Sequence, residues 1–309
     1  MKHALALCLF SSTLTLTLLA PAAQAAPPDA PGKPAARPTA PQKVEPAPEA
    51  PAVKPSYWLA AEPHVPLAVV EGAEMRSVGK RGKSCGSAHR WARPKSRWHA
   101  VDAWGQISGT FEVAGSELYD VTACRELTFA ARSGKPGAGL FVSEDSAYKP
   151  GESAAYAPSV VEKKRFERFL GAVEGAYVDH QPIGKIVPWG KRTMFFQLTP
   201  PKDASWEGRV DGAGKPIERP RHWVVVGGPL LVIGYLGEHG RWHAATVKPP
   251  LGLTDSYLPV AVFDLNGDGI PEIVYQSNDG PSNADNVMTL SPETMTWADA
   301  VESPGGATL

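Results

Sequence analysis

One short segment, residues 262–276, constrains the fold of this chain more than any other. It reads VFDLNGDGIPEIVYQ, and four side chains with oxygen donors lie within nine residues of it: Asp264, Asn266, Asp268 and Glu272. Three carboxylates so close together repel one another unless a cation lies among them. Hard oxygen donors with a glycine, Gly269, at the sixth position are typical of Ca²⁺ sites, since Ca²⁺ takes about 6–8 oxygens in irregular geometry. The segment therefore predicts a calcium loop.

The residues on either side of this loop indicate strands rather than helices. An EF-hand shares the D-x-[DN]-x-D-G opening, but it needs a helix on each side and a Glu at the twelfth position. Here the twelfth position is Tyr275, and the closing carboxylate comes earlier. The flanks, residues 258–263 (LPVAVF) and 273–275 (IVY), are apolar and rich in β-branched and aromatic residues, as strands are. The prediction is strand, acidic turn, strand.

This strand–turn–strand segment resembles the calcium loops of FG-GAP and VCBS-type repeats, which form blades of β-propellers. The resemblance implies four side-chain ligands and one backbone carbonyl ligand: Asp264, Asn266, Asp268 and Glu272, with Ile270 as the carbonyl. It also implies a positive φ at Gly269. The resemblance is strong over residues 258–276 and extends to residues 223–247 as a neighbouring strand pair, but the chain has one clear copy of the loop. The alternative is an acidic β-turn that binds no metal.

The N-terminal part of the chain predicts export. Residues 1–25 read as a secretory signal, with Lys2 and His3 before an apolar run and an A-x-A cleavage site at residues 23–25; an uncleaved anchor is the alternative. Residues 26–55 consist mainly of Ala, Pro, Lys and Glu without an aromatic residue, which predicts a disordered, polyproline-like linker that reaches ~90 Å at ~3.1 Å per residue. The globular domain is expected over residues 56–309. The exported protein is expected in the periplasm, on the cell surface or outside the cell.

The near-neutral net charge argues against one class of partner, and a local basic stretch is compatible with another. The chain carries 31 Lys and Arg against 32 Asp and Glu, which argues against a protein that coats nucleic acid. Residues 75–101 nevertheless contain eight basic and no acidic residues, with Trp91 and Trp98 among them. Such a stretch could bind an anionic polymer, such as a phosphorylated envelope glycan. The favoured interpretation is a solvated loop whose tryptophans fold back onto the core.

Outside the loop, the sequence predicts mainly β-structure with one amphipathic helix. Alternating apolar residues and glycine-rich turns predict strands, arranged as propeller-like or sandwich-like antiparallel sheets. Ser159 and Glu162 form an S-x-x-E capping box that predicts the start of the helix. An apolar stripe at i, i+3, i+4 and i+7 then follows: Phe166, Phe169, Leu170 and Val173.

No set of residues makes a convincing catalytic site. Residues 82–86 (GKSCG) match G-x-S-x-G around Ser84, but the basic residues before them do not predict the hydrophobic strand that a nucleophile elbow needs. His239 and His243 have a spacing that suits a metal on a helix, but they lie in a predicted hairpin with no evident third ligand. The expected function is an exported, calcium-binding, non-enzymatic module that binds a protein or glycan of the envelope, with Ca²⁺ in a structural role. The alternative is a secreted hydrolase that acts on an envelope or extracellular polymer.

Two cysteines remain once the predicted signal is removed, Cys85 and Cys124. In an oxidising compartment such a pair is expected to form a disulfide, which stabilises the fold by roughly 3–4 kcal/mol in the chain-entropy model. We expect the intact mass of the exported, unreduced protein to be two hydrogens below that of the reduced protein. A mass that matches two free thiols would contradict the pairing.

Overall fold

Antiparallel strands make up most of the chain that the computed structural model describes, which comprises residues 54–61, 64–78, 93–119, 124–150, 155–177, 193–198, 217–249, 256–279, 282–303 and 306–307. The elements in these residues are β1 Ser56–Leu59, β2 Pro66–Glu71, β3 Glu74–Ser77, β4 Arg97–Val101, β5 Ile107–Tyr119, β6 Cys124–Gly134, β7 Leu140–Ser143, α1 Val160–Tyr177, β8 Thr193–Phe196, β9 Pro220–Val226, β10 Leu231–Gly237, β11 Trp242–Lys248, β12 Ser256–Phe263, β13 Glu272–Asp279, β14 Ser282–Ser291, β15 Thr296–Glu302 and β16 Gly306–Ala307.

The described strands form three sheets, and every strand pair is antiparallel. The outer sheet has the order β3-β2-β1-β7-β4-β5-β6, and the helix-side sheet has the order β11-β10-β9-β8. The central sheet has the order β12-β13-β14-β15, with β16 paired to β14. The prediction of a mainly β fold with one helix and several antiparallel sheets is confirmed, and face-to-face packing of the sheets agrees with its sandwich-like form.

The central sheet is buried on both faces. Side chains alternate between the two faces of a strand, so Val262 lies in one core cluster with Trp223 of the helix-side sheet. The next residue, Phe263, lies in a second cluster with Trp58 of the outer sheet. A strand that is covered on both sides needs a nearly continuous apolar sequence. This explains the uninterrupted apolar run before the acidic loop.

Helix α1 covers the far face of the helix-side sheet. Phe166 and Leu170 from the apolar stripe pack in one cluster with Trp242 of β11. The predicted capping box is present, because the Ser159 N–H donates to Glu162 Oε2 at 2.7 Å and the Glu162 N–H donates to Ser159 Oγ at 3.3 Å. The layers therefore follow one another as helix, helix-side sheet, central sheet and outer sheet. Among the residues described, no helix combines the length and the hydropathy of a membrane span.

Backbone contacts from both neighbouring sheets hold β12 at the edge of the central sheet. The Tyr257 N–H donates to the Gly228 carbonyl at 2.7 Å, next to the helix-side sheet, and the Val262 N–H donates to the Ala103 carbonyl at 2.9 Å, in the turn between β4 and β5. Gly105 closes that turn with a φ of 83°. These contacts fix the position from which the acidic loop departs.

The basic stretch is described in part. Trp98 is fully buried in a cluster of the outer sheet, so this tryptophan folds onto the core as the favoured interpretation expects. Residues 79–92, which include Trp91, Ser84 and Cys85, lie outside the described residues, as does the side chain of Cys124. The disulfide and the nucleophile-elbow match therefore stay predictions.

Replacement of Gly105 by Ala should destabilise the protein more than replacement of Gly72. Both glycines have a positive φ, which costs an Ala about 1–2 kcal/mol. A Cβ at position 105 would also lie 2.6 Å from the Phe263 Cβ, whereas a Cβ at position 72 meets nothing within 4 Å. We expect a loss in the free energy of unfolding of about 1 kcal/mol for Gly72→Ala and about 3 kcal/mol or more for Gly105→Ala. Urea denaturation measures both, and equal losses would contradict the close packing around Phe263.

Candidate metal centre

The acidic loop joins β12 to β13 at one end of the central sheet. Phe263, the last residue of β12, is the register partner of Glu272, the first residue of β13. Residues 264–271 between them form no strand or helix. The predicted order of strand, acidic turn and strand is therefore confirmed, and the candidate ligands lie within this one loop.

Asp264 organises the backbone of the loop. Its Oδ1 accepts hydrogen bonds from the backbone N–H of Gly267 at 2.6 Å and of Asp268 at 3.1 Å, and its Oδ2 accepts from the N–H of Gly269 at 2.8 Å. Gly267 and Gly269 have φ values of 80° and 86°, which glycine adopts without strain. The positive φ expected at Gly269 is thus present.

Asn266 and Asp268 complete the turn and connect it to the outer sheet. Asp268 Oδ1 accepts the Ile270 N–H at 2.7 Å, and Asn266 Nδ2 donates to Asp268 Oδ2 at 3.1 Å. The same Nδ2 donates to the Ala73 carbonyl at 3.3 Å, in the turn between β2 and β3. The loop is therefore anchored to the outer sheet as well as to its own strands. The Ile270 carbonyl stays a predicted ligand.

Glu272 differs from the other acidic residues of the loop because it is buried. Glu272 is only 1% exposed, and its Oε2 accepts a hydrogen bond from the Leu265 N–H at 2.7 Å. Burial, followed by the negative charges of Asp268 and Asp264, raises the pKa of the Glu272 carboxyl to about 8. A buried carboxyl next to two other carboxylates favours a cation or a proton in its neighbourhood.

The donor set fits calcium by its chemistry. All four side chains offer hard oxygens, and a carboxylate oxygen that accepts one N–H keeps a further lone pair for a cation. Across the part of the chain that the structure describes, no three His, Cys, Asp or Glu side chains converge closely enough to hold a metal ion.

A cleft of about 470 Å³ lies beside the loop. Asp264 and Asn266 line one side of it, and Tyr148 and Lys149 line another. The Tyr148 hydroxyl donates to the Gly105 carbonyl at 2.6 Å. Burial, followed by the charge of Asp264, raises the pKa of this hydroxyl, so Tyr148 stays a neutral donor that holds the turn under the loop.

The two histidines of the β10–β11 hairpin share a partner that sequence reasoning missed. His239 Nδ1 lies 3.3 Å from Glu218 Oε2, and His243 Nε2 lies 3.4 Å from Glu218 Oε1. Glu218 precedes β9, and neither its spacing nor a motif connects it to the hairpin in the sequence. Its carboxylate lies within 3.4 Å of both rings and accepts the His239 backbone N–H at 3.3 Å, so it joins the hairpin to the residues before β9.

Comparison of the chain with models of known protein families, with curated proteins and with solved structures found no match.

The burial of Glu272 predicts a pH-dependent stability in calcium-free buffer. Its folded-state pKa of about 8 lies above the ordinary glutamate value of 4.5, so the folded state keeps a proton that the unfolded state releases. The free energy of unfolding should fall as the pH rises from about 4.5 to about 8, with a slope of at most about 1.4 kcal/mol per pH unit.

Urea denaturation across this pH range, in the presence of a chelator, measures the slope. Glu272→Gln keeps an acceptor for the Leu265 N–H but removes the titration, so its profile should be flatter. Glu293→Gln, at an exposed turn residue between β14 and β15, should behave as the wild type does. Parallel profiles for the wild type and Glu272→Gln would show that Glu272 is not the source of the slope.

Proposed function

We propose that this chain is an exported, calcium-stabilised binding module without catalytic activity, in which Ca²⁺ has a structural role. The observation that carries the proposal is the buried Glu272 carboxyl at the base of a loop that holds two further carboxylates. Neutralisation of these charges would stabilise the junction between β12 and β13. Since this junction lies at the end of the central sheet, its stability affects the packing of both neighbouring sheets.

The ligands in this proposal are the side chains and the carbonyl that the FG-GAP and VCBS resemblance implies: Asp264, Asn266, Asp268, Ile270 and Glu272. A bound calcium ion would supply positive charge to the loop. The backbone hydrogen bonds to Asp264 and Asp268 support the proposal, because they already hold the chain in a tight turn.

The proposed setting of the module follows from the N-terminal sequence. A secretory signal over residues 1–25 and a Pro- and Ala-rich linker over residues 26–55 would place the folded part at a distance from an envelope surface. The expected partner is a protein or a glycan of the envelope. The alternative, a secreted hydrolase, requires Ser84 as its nucleophile, and Ser84 lies outside the described residues.

Calcium should raise the melting temperature of the chain without its predicted signal. Saturation at 100-fold above the dissociation constant adds about 2.7 kcal/mol if the unfolded chain binds no calcium, which corresponds to a rise of about 5–10 °C for a domain of this size. Differential scanning calorimetry with calcium and with a chelator measures the shift, and Mg²⁺ at the same concentration should produce a smaller one.

Two variants show whether the shift comes from the loop. Asp268→Ala should abolish it, whereas Glu293→Gln removes one negative charge from an exposed turn and should keep it. An unchanged melting temperature of the wild type at millimolar calcium would refute the metal site and leave the loop as an acidic turn. A shift that persists in Asp268→Ala would place the calcium elsewhere in the chain.

A further inference from the structure

A second cleft lies on the helix side of the molecule, between α1 and the turn of the β10–β11 hairpin. Its volume is about 450 Å³, and it shares no lining residue with the cleft beside the acidic loop. Its lining combines three arginines with a histidine and two aromatic side chains: Arg165, Arg168 and Arg241 with His239, Phe169 and Trp242. Among the described residues that line it, none is acidic.

Two of the three arginines donate to backbone carbonyls. The Arg165 Nη1 donates to the Gly240 carbonyl at 3.0 Å, which connects α1 to the hairpin turn, and the Arg168 Nε donates to the Lys164 carbonyl at 3.4 Å within α1. Gly240 has a φ of 72°, and a Cβ at this position would overlap with the Arg165 guanidinium. Arg165, Arg168 and Arg241 are all exposed. The cleft therefore presents three exposed guanidinium groups, one of which is held against the hairpin turn.

The acidic residues of the neighbouring segments have other partners. Glu218 lies against His239 and His243, and Glu238 lies 4.0 Å from Arg219. Glu162 belongs to the capping box at the start of α1. Elsewhere in the described chain, exposed arginines lie beside carboxylates, as Arg132 does beside Glu112. Among the described residues, no carboxylate lies within ion-pair distance of the guanidinium of Arg165, Arg168 or Arg241, and Glu218 contacts the lining at His239.

Aromatic side chains form an apolar floor beneath these charges. Phe169 is half-buried, and Trp242 packs edge-on against Phe166 with ring centroids 5.1 Å apart. The Trp242 indole N–H donates to the Glu162 carbonyl at 3.3 Å, which fixes the orientation of the ring. A ligand that places an anionic group among the guanidiniums can therefore pack an apolar face on a rigid surface.

We propose that this cleft binds an oxyanion, a phosphate or a carboxylate, of a ligand whose apolar face contacts Phe169, beside Trp242, which is only 8% exposed. A guanidinium group binds either anion through two parallel hydrogen bonds. An ammonium group binds the same anion as a point charge and does not match its geometry in this way. The inference rests on the proposed function, since the oxyanion would belong to the partner of the binding module. It places recognition on the helix side of the molecule, apart from the acidic loop.

Isothermal titration calorimetry of the chain in calcium-free buffer at low ionic strength tests the cleft with defined probes. Inorganic phosphate tests the binding of a free oxyanion, and glucose is the neutral control. Glucose 6-phosphate tests a phosphate that is carried by a sugar, and glucuronic acid tests a carboxylate that is carried by a sugar. We expect the anionic probes to bind and glucose not to bind. If the sugar-borne anions bind more tightly than inorganic phosphate does, the sugar contacts the aromatic side chains of the cleft.

The double variant Arg168→Gln/Arg241→Gln should weaken the binding of the anionic probes by about tenfold or more for each guanidinium that contacts the anion. Both residues are exposed, so the melting temperature should stay within a few degrees of the wild type. Arg76→Gln/Arg132→Gln removes the same two charges from the outer sheet and should bind as the wild type does. Equal weakening in Arg76→Gln/Arg132→Gln would overturn the proposal, because it would show a general charge effect.

Absence of binding by all three anionic probes would also overturn the proposal, as would glucose binding as tight as that of glucuronic acid. The calcium-dependent melting shift reports on the acidic loop alone, and the anion titration reports on the cleft alone. A protein that shows the calcium shift but binds no anion would refute the cleft and leave the calcium site. The opposite result would refute the calcium site and leave the cleft.

Discussion

The burial of the central sheet on both faces is the constraint on which the rest of the described structure depends. Alternate side chains of β12 and β13 enter two different cores, one shared with the helix-side sheet and one with the outer sheet. Removal of apolar surface from water is the main stabilising contribution in such a stack. Glu272 begins β13 within this apolar environment, so the layering that stabilises the fold also creates the need for a cation or a proton at the loop.

The fold and the candidate site were predictable where the signal is local. The capping box at Ser159 and Glu162 and the apolar stripe after it predict α1, because these residues lie within a few turns of one another. The loop from Asp264 to Glu272 is equally local, since its ligand types and spacing are contained in one segment. The strands around it follow from their β-branched and aromatic composition.

Features that combine distant segments could not be predicted in this way. Nothing in the sequence aligns Glu218 with His239 and His243, because the three meet only when the residues before β9 lie beside the hairpin. The cleft between α1 and the hairpin has the same origin, since Arg165 and Gly240 are 75 residues apart. The order of the sheets is likewise a long-range property. An apolar run indicates burial on two sides without indicating which sheets provide it.

The two backbone contacts of β12 have a consequence for how the protein behaves among copies of itself. An open edge strand offers unpaired N–H and C=O groups to another chain and is a common starting point for aggregation. Tyr257 and Val262 donate their N–H groups to turns of the two flanking sheets instead, and Gly227 leaves space for this approach, because a Cβ there would overlap with the Tyr257 carbonyl. The two flanking sheets thus protect the free edge of β12, which leads into the acidic loop, from pairing with another chain.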